Sequence, residues 1–85
     1  MSQGMRFDEN ELRLEARRKV RAGALPVGPP ARMWAGSGDG EACSLCSRTI
    51  DVSQIEYELV FAALPDVTVR FHRICHQAWE LECIR

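Results

Sequence analysis

CSLC at residues 43–46 and, after 25 intervening residues, HRIC at 72–75 decide how this chain folds. In each pair two residues separate the ligating types. A backbone that closes between Cys43 and Cys46 forms a tight knuckle, with its amides turned toward the sulfurs, so both can grip one ion. The second pair works differently: His72 ends a strand and Cys75 opens a helix. A thiolate there is stabilised by the free amides and the dipole of the first turn. Three thiolates and one imidazole suit a single tetrahedral structural Zn2+ with no open position for substrate. In zinc-finger peptides such an ion supplies on the order of 10 kcal/mol. That would offset the small core that a chain of 85 residues can bury.

Other readings of the same residues compete. A CxxC pair can be a thioredoxin-like redox centre. That arrangement needs a strand before the motif and a helix opening at it. Here a Gly-rich stretch precedes and Ser-Arg-Thr-Ile-Asp follows. His76 could replace His72 as ligand, but Cys75 and His76 would then both have to turn to one ion. The plainer place for His76 is on the helix surface or behind the ligands. Cys83 lies eight residues after Cys75, roughly 12 Å along a helix, so it reads as a small hydrophobe near the chain's end. Cys75, His76 and Glu80 offer a nucleophile, a base and a carboxylate. Ligated thiols are poor nucleophiles, however, and both histidines already lie in the ligand region, so no catalysis is expected.

The residues between and after the ligands alternate as strands do. In IEYELVFA, residues 55–62, Ile55, Tyr57, Leu59 and Phe61 fall on one face, with Glu56 and Glu58 on the other. In VTVRFH, residues 67–72, Val67, Val69 and Phe71 face away from Thr68, Arg70 and His72. LPD at 64–66 is a turn signal between them, which predicts a β-hairpin with one apolar face. From about 73 to 84, Ile74, Cys75, Ala78, Trp79 and Leu81 share a broad face at helical spacing.

Knuckle, hairpin and a helix carrying the last ligand together resemble a treble-clef zinc finger. Phe71-His72-x-x-Cys75 after C-x2-C is similar to the first zinc module of a LIM domain. The resemblance covers about residues 41–84. It implies that Cys43, Cys46, His72 and Cys75 take the ligand positions. The 25-residue separation is somewhat long for that module, and a second LIM module is missing, so LIM-type recognition does not carry over. The Trp- and Gly-containing lead into C-x2-C also resembles small bacterial zinc-binding proteins, which supplies no activity.

Upstream, a helix is predicted over residues 9–22. Asp8 is the N-cap with Glu11 three residues on, Phe7 and Leu12 stand where a hydrophobic staple would form, and Glu15 pairs with Lys19 at i, i+4. Gly23 ends the helix. Residues 1–7 are expected to fray. The apolar stripe is thin (Leu12, Ala16, Val20), and beside it runs Arg13, Arg17 and Arg21, expected to face solvent. Residues 23–42 hold five of the six Gly and three of the four Pro and read as an extended arm without secondary structure, with Met33 and Trp34 anchoring it to the folded module or, as the alternative, with an exposed aromatic used in binding. The expected organisation is therefore a tail and basic amphipathic helix over 1–22, a Gly/Pro-rich arm over 23–40, and a zinc module over 41–85. The whole is a small α+β, zinc-stabilised chain.

Composition adds bounds. No apolar run approaches the ~18 residues of a membrane span, and the N-terminal residues carry no secretory pattern. The expected setting is cytoplasmic, where thiols stay reduced. Net charge is −1, but residues 1–33 carry seven Lys/Arg against four Asp/Glu, and residues 34–85 four against eight. The acidic module favours a basic or apolar surface on another protein as its partner. The basic stripe Arg13, Arg17 and Arg21 offers nucleic acid as the second partner. No membrane contact and no small-molecule substrate are expected.

Overall fold

A computed structural model describes residues 8–83. The Phe7 staple and the expected fraying of residues 1–7 lie outside them. Helix α1 runs Glu9–Arg21. The Asp8 carboxylate caps it by accepting from the Asn10 amide at 2.9 Å. The far end closes on Gly23, whose φ of +77° lets the Ala24 amide reach back to the Lys19 carbonyl and its own amide to Val20. This paired ending satisfies carbonyls that a helix otherwise leaves open.

Three strands follow in an antiparallel sheet of order β1-β2-β3: β1 Arg32–Ser37, β2 Ile55–Phe61 and β3 Leu64–His72. The first corrects the expected arm. Residues 23–31 do connect without a strand or helix, but Arg32–Ser37 pair with β2 from Arg32↔Val60 to Ser37↔Ile55. The Gly/Pro content that argued against an element lies mostly before and after RMWAGS, which contains only Gly36. Gly38 then allows the chain to turn: a Cβ there would collide with the Ile50 and Asp51 carbonyl oxygens. The hairpin also differs in detail. Its turn is Ala62-Ala63, and LPD opens β3 rather than forming the turn. Phe61 pairs with Leu64 and Val60 with Thr68, so Pro65 sits in a bulge, where it owes the ladder no amide.

Helix α2, Arg73–Cys83, follows β3 directly and lies against the sheet. Leu59, Phe61, Val69 and Phe71 are buried, and Trp79 meets Phe61 and Phe71 at ring-centroid distances of 5.9 and 5.4 Å. Ile55 and Val67, expected on the buried face, are exposed. The reason is length. Eleven helical residues span about 16 Å, whereas the nine of β3 run about 30 Å, so the ends of the apolar stripe lie beyond the helix. Helix α1 packs on α2 through Leu12 and Ala16, which is fully buried, with Val20 at the margin. The Trp79 indole donates to the Pro26 carbonyl at 2.8 Å, which pins the connection after α1 onto α2. One continuous core thus contains Leu12, Ala16, Leu25, Leu45, Ile50, Phe71, Cys75 and Trp79. Arg17 is not turned to solvent as expected: it pairs with Glu82 of α2 at 3.3 Å.

Candidate metal centre

The centre is assembled from three places in the chain. Residues 43–46 form the knuckle, closed by the Ser47 amide on the Cys43 carbonyl and the Cys43 amide on the Arg48 carbonyl. Ser47 adopts φ +69°, a left-handed conformation that costs a non-glycine residue about 1 kcal/mol and turns the chain back so that Ala42 bridges Thr49. The Leu45 amide points at Cys43 Sγ, 3.4 Å away, which helps hold that sulfur as an anion. The second pair comes from the β3–α2 junction, where His72 is the last strand residue and Cys75 lies in the first turn of the helix.

The structure brings Cys43, Cys46, His72 and Cys75 together, with one ligand atom of each lying within 4.8 Å of all the others. His72 Nδ1 is 3.4 Å from Cys46 Sγ and 3.9 Å from Cys75 Sγ. A tetrahedral ion with sulfur at 2.3 Å and nitrogen at 2.0–2.1 Å separates those atoms by about 3.6 Å. The tautomer also fits. His72 Nε2 lies 3.2 Å from the Thr49 carbonyl oxygen, which can only accept, so the ring proton belongs on Nε2. Nδ1 then turns its lone pair toward the sulfurs, the usual arrangement of a histidine ligand held from behind.

Electrostatics give a second test of fit. Cys43 is held as a thiolate, its pKa lowered to about 4, chiefly by the Cys75 thiol donating to it and further by backbone amides, against the cost of burial. Cys75 is pushed far upward, because it gives that hydrogen bond and because burial and the Cys43 charge oppose a second anion. Burial also raises Cys46. Three thiols this close do not all ionise alone. A dication between them removes the conflict, and ionises the thiols that bind it.

Two supporting groups carried no signal in the sequence. Thr49 acts through its backbone, so no residue type marks it. Lys19 read as the partner of Glu15, which lies 3.9 Å away. Its ammonium instead donates to both the Ser44 and Leu45 carbonyls at 3.0 Å, and so ties α1 to the knuckle. Ser44 ties the knuckle to β3 in turn: its amide donates to the Arg70 carbonyl, and its hydroxyl accepts from the Arg70 amide.

His76 lies outside the cluster. It is buried, not on the helix surface, stacked on Tyr57 at 4.7 Å and tilted against Trp79. Cys83 is half-buried against the core, also apart from the ligands. Glu80 is exposed. Comparison of the chain with known protein families, curated proteins and solved structures returned no match. The donor set is compatible with a zinc finger, and no helix among the described residues is long and apolar enough to cross a membrane.

Proposed function

We propose that this protein is a treble-clef-type zinc scaffold whose role is to present a surface to another protein. The carrying observation is the closed donor set: three sulfurs and one oriented imidazole nitrogen within 4.8 Å of one another. Soft thiolates with imidazole select zinc over hard cations. With four protein donors a tetrahedral ion keeps no position for substrate, so the ion is structural and no catalytic role is proposed for it. The order of knuckle, hairpin and helix supports the treble-clef reading, and β1 widens the hairpin into a three-stranded sheet. The acidic balance of residues 34–85 favours a protein partner that brings basic or apolar groups.

The nucleic-acid reading has less support. Arg17 is taken by Glu82, Arg18 by Glu15 and Lys19 by the knuckle, so the helix has fewer cations to offer to phosphates than its sequence implies. Elemental analysis of protein purified without chelator tests the proposal, with one zinc per chain expected. Cobalt substitution should give thiolate charge-transfer bands and the ligand-field spectrum of a tetrahedral site. Folded protein that reproducibly lacks metal would overturn it.

A further inference from the structure

Strand β1 is an edge strand, and nothing among the described residues covers its outer side: its element contacts are with β2 alone. All six of its residues are exposed, Trp34 and Met33 by about half. It carries no proline, lysine or bulge, the usual defences of a free edge. The other edge is treated differently, because the knuckle bonds to β3 at Arg70.

The backbone phase of that edge is fixed. The Gly38 amide donates to the Gln54 carbonyl, continuing the β1–β2 register. Even-numbered residues therefore bond inward, and Met33, Ala35 and Ser37 direct amide and carbonyl outward. The side chains have a phase too. Trp34 is paired with Glu58 and Gly36 with Glu56, so Arg32, Trp34, Gly36, Glu56 and Glu58 share one face.

On that face lies a groove lined by Trp34, Gly36, Asp39, Glu56 and Glu58. The three acidic residues each bring a carboxylate oxygen within 4.8 Å of the others. Among the described residues one cation, Arg70, reaches Glu56 at 3.3 Å and Glu58 at 3.5 Å. Glu56 is only 4% exposed, and its Oε1 is buried with no hydrogen-bond partner. The groove is thus short of positive charge. The floor at Gly36 is open, with nothing within 4 Å of where a Cβ would stand.

We propose that β1 is a dimerisation edge: two copies join antiparallel through it, and each sends Arg32 across Gly36 into the other's Asp39–Glu56–Glu58 groove. The proposal deepens the scaffold reading above by naming a second copy of this chain as the partner, and it rests on that reading's folded sheet. The outward bonds pair Met33 of one copy with Ala35 of the other. That register sets Trp34 opposite Trp34 at the twofold axis and Arg32 opposite Gly36, both in the closely spaced, non-hydrogen-bonded type of pair. Adjacent strands are about 4.8 Å apart, so the second copy's Arg32 lies two strand spacings from Glu56, and its long side chain crosses the bare glycine to reach it. Arg32 is exposed and bridges to no carboxylate among the described residues. The strand is therefore self-complementary, with a cation at one end and an anionic groove at the other, as an isologous interface requires.

Sedimentation velocity on the 85-residue chain, purified without chelator, over a wide concentration series tests this. The wild type should pass from monomer to dimer. Arg32→Glu should weaken the dimer more than about tenfold. Ala35→Pro, which removes an outward amide and leaves the bonds to β2 intact, should give monomer. An equimolar mixture of Arg32→Glu and Asp39→Lys, each monomeric alone, should recover the dimer through swapped charges. A wild type that stays monomeric throughout, or a dimer that survives both Arg32→Glu and Ala35→Pro, would overturn the proposal. Zinc measured on the same samples separates the two readings. A monomer holding one zinc removes the dimer and leaves the scaffold, and a metal-free dimer does the reverse.

Discussion

Lys19→Met tests whether α1 belongs to the metal module or only rests on it. The ammonium donates to two backbone carbonyls of the knuckle, Ser44 and Leu45, both at 3.0 Å. Hydrogen bonds from a charged donor contribute about 1.5–3 kcal/mol each. The Lys19 side chain is 17% exposed, so water competes for part of that, and two bonds from one ammonium do not add fully. Methionine keeps the aliphatic packing and removes only the donor. The expected loss is about 2–3 kcal/mol, or 30- to 150-fold in the folding constant. Because the ligands are ordered only in the folded chain, the same loss should appear as weaker zinc binding under mildly denaturing conditions. Urea melts of zinc-loaded protein and competition with a chromogenic chelator read the two quantities. Arg18→Met is the control: it breaks a surface pair with Glu15 and should leave both unchanged. A Lys19→Met protein that melts with the wild type and retains its zinc would refute the reasoning, and α1 would be a docked appendage.

Loss of a ligand should be far more severe. Cys46→Ser or Cys75→Ser should abolish zinc binding and the dispersed amide spectrum of residues 41–83, whereas Cys83→Ser, outside the cluster, should keep both. Ala16 is fully buried at the α1–α2 contact; Ala16→Leu should overpack it and cost about 1–3 kcal/mol in a denaturant melt. Burial, the largest influence, raises the Cys83 thiol above its ordinary pKa, against a hydrogen bond from the Gly28 backbone. Its thiolate fraction near pH 8 is therefore below that of free cysteine, and iodoacetamide should modify it more slowly there and faster as pH rises. By linkage, a raised folded pKa means that Cys83 contributes stability fully present below the ordinary thiol pKa and lost as pH rises through the folded value. Melts of wild type and Cys83→Ser between neutral and alkaline pH should converge accordingly.

The ligand cluster and the two helices were legible because each carries a local signature: CxxC spacing, a capping aspartate, a terminal glycine and periodicity over a dozen residues. Strand β1 was not. Its six residues are all exposed, so they show no inward–outward alternation, and the flanking Gly and Pro outweigh them in any window. Its existence follows from what β2 offers, namely a free row of amides and carbonyls, which is a property of another segment. Glu56 is a second case. Alternation put it on the solvent face, and it is on the face away from α2, yet Arg70, Glu58 and Asp39 crowd it until it is buried. Lys19 is a third, because its i, i+4 partner Glu15 supplied a sufficient local explanation and concealed the longer reach to the knuckle.

Lys19 also shows what the metal centre would tie together. The ion would fix the knuckle to the β3–α2 junction, Ser44 fixes the knuckle to the β3 edge, and Lys19 fixes α1 to the knuckle. Helix α1 has thirteen residues, a length that is marginal in isolation, and its own apolar contribution is little more than Leu12 and Ala16. Its second attachment passes through backbone carbonyls that have a defined position only while the knuckle is closed. A zinc ion bound there would therefore support α1 without touching it. Strand β1 depends on the metal less directly, since its bonds run to β2 and its return to the knuckle passes through Gly38 and Gly40. Chelation should consequently release α1 and the knuckle together, with the β1–β2–β3 sheet resisting longest where Phe61, Phe71 and Trp79 still pack. Amide exchange followed during chelator addition separates that order from a single concerted collapse.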